Sequence, residues 1–483
     1  MTFPRMKTFL ASALLVGPML AAAPALAVER IERGQLVIEG IPDIPPEVTE
    51  RLRTYQNVRG HGFQGFTADG GILISTRFGE TSQIHKVSQP MGARRQLTFY
   101  DEPVGGASVS PDGRVFAFSK DTGGDEFNQG YLFDPETGRV TRFTNEGTRN
   151  GGALWFDDAS KVAYYEAQRG AVGWDIYVAD PRTPGSAKRV YDSAGPALFP
   201  VDWSDDGTKL LLQEYVSITK SRLFILDLAS GALSEINPDD TVAYGGGEFV
   251  GNGVLTTSDK DAEFRNLVLI DLETGATRDL TPDIDWSVEG FDLSPDGRTA
   301  VISINEEGYG TLRLVDVTTG KVSPGPALPK GIASGARFDV TGERVGFTFN
   351  GPKSAGDVWT YSLADGALTQ WTEAEVGGLD PSGFVEPELI SYPGADDLMI
   401  PAWVYKPEGA GPFPVIISIH GGPEAQSRPG FSSTVQCWVK ELGVAVLVPN
   451  VRGSDGYGKT YVAMDNGFNR KKSVGDIGSL LDW

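Results

Sequence analysis

The sequence predicts a β-propeller of seven blades followed by the beginning of an α/β domain. The first observation is a turn that recurs seven times, in steps of 43 to 48 residues, each time just before an apolar strand. The second is that this period ends near Phe384, after which strand and helix patterns alternate. Four-stranded units at such a period are typical of propeller blades, and alternating strands and helices are typical of α/β domains.

The repeated turn is rich in Asp and Gly, which supply the backbone conformations that tight hairpins need. The seven turns end at Gly70, Gly113, Ala159, Gly207, Gly253, Gly297 and Gly342. The strands predicted after them cover residues 72–76, 115–119, 162–165, 210–213, 254–257, 300–304 and 345–349. The regular steps favour one repeated unit over the alternative, an open β-sandwich with coincidental turns.

A second turn follows the first at a fairly regular offset. It runs from Asp to Gly at residues 134–138, 227–231, 271–275 and 316–320, with a shorter version at 365–366 and a degraded one from Asp180. Two hairpins in each unit imply four short strands, which is the content of one blade. A closed ring of such blades leaves no long free strand edge, but the fold alone does not identify a ligand.

The composition is that of an ordinary globular protein. The chain has 483 residues, of which 40% are hydrophobic and 22% are charged, and its net charge is −22. Nucleic acid and anionic membrane surfaces are therefore poor partners, because a polyanion repels both. With one cysteine, Cys437, an intrachain disulfide, a Cys-rich zinc site and an iron–sulfur cluster are excluded. Three histidines leave little room for a metal site, so we predict neither a metal nor a cofactor.

Residues 1–27 have the pattern of a cleaved signal peptide. Arg5 and Lys7 precede an apolar run over residues 9–20, and Ala25-Leu26-Ala27 is a typical cleavage signal. The alternative is an uncleaved membrane anchor, which the short apolar run disfavours. We expect an exported, soluble protein that is periplasmic or secreted and has no membrane contact after cleavage. Its oligomeric state stays open.

The last hundred residues predict strands that alternate with helices. Strands are predicted at residues 398–405, 414–419 and 444–448, with helices at 431–442 and 474–483. The strand at 414–419 is almost wholly apolar, so we expect it to be buried on both faces of a sheet. Ser473 is the expected N-cap of the closing helix.

Two motifs follow the predicted strands of this part. His420, Gly421, Gly422 and Pro423 end one strand, and residues 450–458 read Asn-Val-Arg-Gly-Ser-Asp-Gly-Tyr-Gly after the next. Behind a propeller, these motifs resemble the prolyl oligopeptidase family of serine peptidases. The most similar branch is that of the acylaminoacyl peptidases and the exported bacterial enzymes like dipeptidyl peptidases. The resemblance covers essentially all of the chain after the signal peptide.

The resemblance implies a two-domain enzyme that cleaves short peptides through an acyl-enzyme. A segment at residues 28–60 would pack on the side of an α/β-hydrolase domain. The seven-bladed propeller would cover residues 61–375 and restrict access to the active site. Residues 376–483 would be the N-terminal, incomplete part of the hydrolase domain.

The resemblance also implies which residues meet the peptide substrate. His420, Gly421 and Gly422 would line the oxyanion side, where backbone N–H groups near a glycine turn can approach the developing negative charge. Arg452 would contact the substrate or, alternatively, form a structural salt bridge. Alternatively, His420 is a histidine at the end of a strand that has no role at the oxyanion side. Glu126 could bind a substrate amino group, although a solvated turn is the simpler interpretation.

The sequence departs from the family at its catalytic serine. The family carries Ser in Gly-x-Ser-x-Gly, followed along the chain by Asp and then His, and no such motif occurs here. Residues 452–456 come near, but Arg452 stands in place of the first Gly, and no His follows His420. We therefore assign no catalytic residue and expect the triad to lie beyond this chain, which would be inactive alone. A fragment and a natural truncation are both compatible with this.

Two further interpretations compete with the peptidase. Residues 453–460 match the phosphate-loop pattern Gly-x-x-x-x-Gly-Lys-Thr after a strand, and such loops wrap backbone N–H groups around phosphates. The peptidase motif explains the same residues better. The other alternative is a non-enzymatic exported propeller that acts as a binding module.

Overall fold

The computed structural model describes residues 29–34, 36–171, 173–193, 195, 197–422 and 424–483. The predicted signal peptide, residues 1–27, lies outside the described residues. Within the described part, no helix is long and apolar enough to cross a membrane. The contacts divide the chain into two units, Met1–Arg51 and Leu52–Trp483.

The described residues of the first unit form a small hairpin. Strand β1 (Arg30–Arg33) pairs with β2 (Leu36–Glu39) in antiparallel orientation, and helix α1 (Pro46–Gln56) begins in this unit and ends in the second. Arg30 forms an ion pair with Glu39 across the hairpin at 2.6 Å. Both side chains are exposed, so the pair contributes little stability.

The second unit consists mainly of sheets whose strands follow one another in the sequence. Among the described residues, five purely antiparallel sheets have four strands each, and a sixth sheet has eight. The four-stranded sheets are formed by β4 (Gly62–Phe66), β5 (Ile72–Thr76), β6 (Gln83–Val87) and β7 (Arg94–Gln96); β8 (Ala107–Val109), β9 (Phe116–Lys120), β10 (Gln129–Asp134) and β11 (Arg139–Arg142); β12 (Arg149–Trp155), β13 (Val162–Ala167), β14 (Asp175–Ala179) and β15 (Lys188–Tyr191); β16 (Leu198–Trp203), β17 (Lys209–Ser217), β18 (Lys220–Asp227) and β19 (Leu233–Ile236); and β20 (Tyr244–Val250), β21 (Gly253–Ser258), β22 (Asn266–Asp271) and β23 (Thr277–Asp279). The eight-stranded sheet is formed by β24 (Val288–Leu293), β25 (Thr299–Glu306), β26 (Tyr309–Asp316), β27 (Val322–Pro324), β28 (Ile332–Phe338), β29 (Arg344–Gly351), β30 (Ser354–Ser362) and β31 (Leu368–Gln370).

In the structure, the repeated turns join consecutive strands of each group of four, as the sequence predicts. Each predicted strand falls on the second strand of a group of four, and β5 has the predicted bounds of Ile72–Thr76. The second turn joins the third and fourth strands, as between β10 and β11. There Gly138 has a φ of 70°, its N–H donates to the Asp134 carbonyl at 2.8 Å, and Thr137 Oγ1 donates to the Asp134 carboxylate at 2.8 Å. Local turn chemistry therefore determines these hairpins.

Neighbouring sheets pack through their first strands. β4 contacts β8, this contact continues in turn through β12, β16, β20, β24 and β28, and β28 contacts β4. The sheets thus form a closed ring, which is the arrangement of a β-propeller. Where the ring closes, the Phe63 N–H donates to Thr348 Oγ1 at 2.8 Å. The Phe63 ring also covers Gly346, where a Cβ atom would lie 2.4 Å from the ring.

The chain enters and leaves the ring side by side. The short strand β3 (Val58–Arg59) pairs with β32 (Glu375–Val376) in antiparallel orientation. Arg94 on β7 donates to Glu375 at 2.9 Å and so ties the first sheet to this exit strand. The pairing of β3 with β32 and the ion pair of Arg94 with Glu375 each join residues that are far apart in the sequence.

The C-terminal part forms a separate mixed sheet in the order β33-β34-β36-β35. Its elements are β33 (Glu388–Pro393), β34 (Met399–Tyr405), β35 (Val415–Ile417), α2 (Ser433–Glu441), β36 (Ala445–Pro449), α3 (Lys459–Ala463) and α4 (Arg470–Asp482), with 3-10 turns at Pro381–Gly383 and Gly467–Asn469. β35 and β36 are parallel and α2 connects them, as expected of a βαβ unit. Ser432 caps α2, since its Oγ accepts from the Val435 N–H at 3.3 Å.

The predicted burial of the strand at 414–419 is wrong. β35 is an edge strand, because β36 covers one side and no described strand pairs with the other. Val415 is 54% exposed and Ile419 is 57% exposed. An apolar sequence therefore stands here at an open sheet edge rather than at the centre of a covered sheet.

The predicted cap of the closing helix is also wrong. Helix α4 begins at Arg470, with Asn469 as its N-cap residue, so Ser473 lies within the first turn. Ser473 Oγ donates to the Arg470 carbonyl at 2.7 Å, the back-bonding that serine makes inside helices. The helix therefore begins four positions before the predicted start at residue 474, and it includes the charged residues at 470–472.

Candidate functional site

The two C-terminal motifs meet at the ends of β35 and β36. His420 lies in the loop after β35, and its Nε2 is 3.0 Å from Oγ of Ser454, which follows β36. Its Nδ1 is 3.0 Å from the carbonyl oxygen of Gly421. The fold thus brings His420 into contact with the motif at residues 450–458, while the oxyanion-side role of His420, Gly421 and Gly422 stays a prediction. Pro423 lies outside the described residues.

The pair of His420 and Ser454 does not have the arrangement of a base and a nucleophile. Ser454 is completely buried, and its Oγ donates to the Val451 carbonyl at 2.6 Å. The single hydroxyl proton of Ser454 is therefore directed to a backbone carbonyl and not to His420 Nε2. A nucleophilic serine needs an accessible hydroxyl and an acceptor nitrogen. The near miss at residues 452–456 accordingly lacks the geometry of a nucleophile.

Gly421 and Gly422 present exposed backbone beside His420. No hydrogen bond from either N–H to another described residue is present. Gly422 has a φ of 121°, and a Cβ atom there would lie 2.6 Å from the Glu424 nitrogen, so only glycine fits. Around Gly421 a Cβ atom would meet nothing within 4 Å. Free N–H groups in an open loop are able to donate to an anionic oxygen.

Arg452 is buried and is held in an ion cluster between buried Asp476 and exposed Asp396. Its Nε donates to Asp476 at 2.9 Å, and its Nη1 and Nη2 donate to the two oxygens of Asp396 at 2.8 and 2.7 Å. The hydrogen bond from Arg452 lowers the pKa of Asp396 to about 2, and the two carboxylates raise the pKa of Arg452 further. Asp396 follows β33, Arg452 follows β36 and Asp476 is on α4, so the cluster joins two loops of the sheet to this helix. This geometry favours the structural alternative for Arg452, and a substrate contact stays a prediction.

Asn450 holds the two motif loops together, which the sequence analysis did not foresee. Its Oδ1 accepts from the Ser427 N–H at 2.7 Å, and its Nδ2 donates to the Ser427 carbonyl at 3.0 Å and to Tyr457 Oη at 2.9 Å. Asn450 is completely buried, so these bonds satisfy all of its polar atoms. A polar residue directly after an apolar strand was the available signal.

The loop proposed as a phosphate loop is occupied by the propeller. Glu263, between β21 and β22, accepts from the Thr460 N–H at 2.7 Å and from Thr460 Oγ1 at 2.8 Å. Lys459 Nζ donates to the Asp259 carbonyl at 3.0 Å. The carboxylate thus sits where a phosphate would bind, and Gly458 leaves room for it, since a Cβ atom there would lie 2.4 Å from Glu263 Oε1. The phosphate-loop alternative is therefore wrong.

Two further contacts join the propeller to the loop after His420. Arg428 donates to both oxygens of Glu289 at 2.9 and 3.0 Å. Asn305 Nδ2 donates to Gln426 Oε1 at 2.7 Å. The propeller therefore positions the segment that carries the motif. The Glu126 N–H donates to the Asp121 carboxylate at 3.0 Å, within its own turn, and a contact of Glu126 with a substrate stays a prediction.

The described residues contain no group of three or more His, Cys, Asp or Glu side chains arranged to hold a metal. Cys437 is buried on α2, as expected of an inert core cysteine. The chemical groups that this region offers are therefore the backbone N–H groups of the glycine loop and the His420 ring.

Comparison with known proteins identifies the family. The family model for the prolyl oligopeptidase N-terminal β-propeller domain matches residues 98–373, more than half of the chain. The fold is thus the propeller of a peptidase family, and the chain belongs to the prolyl oligopeptidase family.

Individual relatives agree with this assignment. A prolyl endopeptidase from Elizabethkingia meningoseptica is 22% identical over 396 residues, which is 77% of this chain and 54% of that protein. A dipeptidyl aminopeptidase BIII from Pseudoxanthomonas mexicana is 36% identical over 72 residues, 15% of this chain and 10% of that protein. The chain thus spans about half the length of the prolyl endopeptidase it matches.

Solved structures share the fold. One from a study of two prolyl endopeptidases superposes with a TM-score of 0.77 at 15% identity, over 95% of this chain and 76% of that one. Prolyl oligopeptidase B from Galerina marginata, bound to a 25mer macrocyclization substrate, gives a TM-score of 0.75 at 17% identity, over 90% of this chain and 68% of that one. At these identities the likeness concerns the fold.

Proposed function

We propose that this chain forms the propeller and the first part of the catalytic domain of a serine peptidase. The enzyme would cleave short peptides through an acyl-enzyme, and the propeller would limit access to the site. The observation that carries the proposal is the loop of His420, Gly421 and Gly422, in which the two glycine N–H groups donate to no other described residue. The propeller holds the following segment in place through Arg428 and Gln426.

The propeller has seven blades in this proposal. The eight-stranded sheet counts as two blades, because a single bridge, Gly310 to Ile332, joins β26 to β28. The successive contacts among seven first strands, from β4 back to β4, support the same number. The blades occupy residues 61–375.

Residues 376–483 are proposed to be the first part of an α/β-hydrolase domain. The parallel pair of β35 and β36 with α2 between them supports this. Of the segment at 28–60, the part from Leu52 onwards would pack on this domain, since Tyr55 donates to Glu441 at 2.9 Å. In such a domain the attacked carbonyl becomes an oxyanion, which donors near 2.7–3.1 Å stabilise. We assign this role to Gly421 and Gly422 and assign the nucleophile to no residue of this chain.

The first test asks whether the 483-residue chain reacts as a serine enzyme. A fluorophosphonate probe and an aminoacyl anilide assay should give neither labelling nor turnover, because Ser454 is buried and hydrogen-bonded to a carbonyl. A product that includes the downstream coding sequence should gain both. Stoichiometric labelling of the present chain would contradict the proposal. Peptide binding without labelling by the longer product would favour the binding module.

The second test concerns the oxyanion role and uses the longer, active product. Gly421→Pro removes the N–H and should lower kcat by about 10²–10³-fold if this group is an oxyanion donor. Gly421→Ala keeps the N–H in open space and should stay near the parent activity. Equal losses in both variants would assign Gly421 a steric role instead.

Export remains part of the proposal. Residues 1–27 would direct the chain out of the cytoplasm and be removed, so the mature N-terminus should be Val28. N-terminal sequencing of the protein from the extracytoplasmic fraction tests this, and an intact Met1 would contradict it.

A further inference from the structure

Three carboxyl groups lie on the first strands of three consecutive sheets. They are Asp202 on β16, Glu248 on β20 and Asp292 on β24. We call them the inner carboxyls. Each accepts a hydrogen bond from the backbone of the first strand of the next group of four strands. The donors are the N–H groups of Phe249 at 2.7 Å from Asp202, Leu293 for Glu248, and Phe338 at 2.8 Å from Asp292.

Two other contacts between first strands of the ring use neutral side chains. Gln64 Oε1 on β4 accepts from the Ala107 N–H at 2.7 Å, and Ser108 Oγ on β8 donates to the Ala153 carbonyl at 3.0 Å. A neutral amide therefore makes the same connection between two sheets as a carboxyl group does. Joining the sheets does not by itself require an acid, so the inner carboxyls add a property that Gln64 does not have.

Unlike Gln64, the inner carboxyls can ionise, and neighbouring acidic side chains oppose the resulting negative charge. The strands β16, β20 and β24 contact one another in turn, and the three carboxyl side chains on them are half-buried. The charges of Asp202 and Asp292 oppose ionisation of Glu248, and those of Asp157 and Asp205 oppose ionisation of Asp202. The cation that faces this group is Arg337, beside Asp292.

The pKa values of all three groups are displaced upwards. Burial raises the pKa of Asp202 to about 7 and that of Asp292 to about 6. Burial and the two neighbouring carboxyls raise the pKa of Glu248 well above its ordinary value.

We propose that the inner carboxyls make the packing of the sheets from β16 to β31 dependent on pH. When neutral, they connect the first strands as Gln64 does. When ionised together, they repel one another across adjacent strands and weaken the ring on this side. The inference concerns the propeller alone and is independent of the peptidase proposal.

The sign follows from proton linkage. An acid with a raised pKa holds its proton more tightly in the folded state than in the unfolded chain, where the pKa is about 4. The folded state is therefore favoured fully below about pH 4, and this advantage is lost as the pH rises through the folded pKa values near 6 and 7. Neutral amides in the same places remove this loss.

The test compares Tm values of the whole chain between pH 4.5 and 8. The variant carries Asp202→Asn, Glu248→Gln and Asp292→Asn together, and its control carries Asp283→Asn, Asp285→Asn and Glu273→Gln, which are exposed. Relative to the parent, the inner variant should gain about 5 °C between the two pH limits, and the control should change by about 1 °C or less. A difference that does not depend on pH would overturn the proposal.

A second measurement uses the parent chain and needs no folded triple variant. Infrared spectra at pH 6 should contain the carbonyl stretch of protonated carboxylic acids, and this band should weaken by pH 8.5 as Asp202 and Asp292 ionise. The single variant Asp202→Asn should reduce the band. A parent spectrum without protonated carboxyls at pH 6 would contradict the proposal, whatever the stability of the variants.

Discussion

The propeller and the C-terminal sheet satisfy their strand edges in different ways. In the propeller, successive first strands contact one another around the ring until β28 reaches β4. In the C-terminal sheet, β35 is an edge strand with exposed Val415 and Ile419 beside it. A ring of sheets completes its own contacts, whereas this open sheet leaves apolar surface and backbone groups uncovered.

The same contrast holds for the cores. The propeller core consists of clusters between neighbouring sheets, such as the one that contains Leu255, Ile302 and Val315. The C-terminal sheet depends on two small clusters, on the Arg452 ion cluster, and on contacts with the propeller residues Glu263, Glu289 and Asn305. The C-terminal part therefore relies on the propeller for a share of its order, and the propeller relies little on the C-terminal part.

The largest expected effect comes from separating the two parts. Residues 61–375 alone should be soluble and unfold cooperatively, because the ring closes within them. Residues 376–483 alone should aggregate or bind a hydrophobic dye, because β35 keeps an open apolar edge. Expression of both fragments and dye fluorescence test this. A soluble C-terminal fragment with a cooperative transition would remove the contrast.

The next effect is expected at the ion cluster. Arg452→Leu leaves Asp476, which is completely buried, without its cation, and should destabilise the C-terminal part by about 3–5 kcal/mol. Lys406→Leu removes an exposed pair with Glu388 at 3.5 Å and should cost about 0–1 kcal/mol. Urea unfolding of the whole chain measures both. Similar small losses would show that the cluster does not support the sheet.

The features that the sequence predicts well are the local ones. Asp and Gly in the turns fix hairpins through bonds such as Gly138 N–H to the Asp134 carbonyl, which involve residues four positions apart. The missed features join distant residues: Arg452 to Asp396, and Thr460 to Glu263. The edge position of β35 was missed because an apolar run has the same sequence whether or not a second strand pairs with its other edge. The glycine loop was found from its motif, while Asn450, which holds that loop, has no periodic pattern to reveal it.

A moderate effect is expected where the ring closes. Gly346→Ala places a Cβ atom 2.4 Å from the Phe63 ring and should destabilise the propeller by about 1–3 kcal/mol through overpacking. Gly290→Ala is the matched control in a first strand, since its Cβ atom would have one neighbour, Ser303 Oγ, at 3.9 Å. Thermal unfolding of the 61–375 fragment separates the two variants. If Gly346→Ala behaves like Gly290→Ala, the closure of the ring tolerates movement and the propeller is less self-contained than its contacts suggest.

The smallest effect is expected at the contact through which the propeller supports α3. Glu263→Ala removes the acceptor of the Thr460 N–H and of Thr460 Oγ1 and should destabilise the C-terminal part by about 1 kcal/mol, as loss of a helix cap does. Glu263→Gln keeps an acceptor oxygen and should lose less, and Glu273→Ala, in an exposed turn, should change nothing. Hydrogen exchange of the α3 amides in the whole chain measures this locally, because a cap acts on the first turn of its own helix. Faster exchange in α3 for Glu263→Ala, with unchanged exchange in β21 and β22, would show that order passes from the propeller to the C-terminal part. Equal acceleration on both sides would show instead that the two parts stabilise each other.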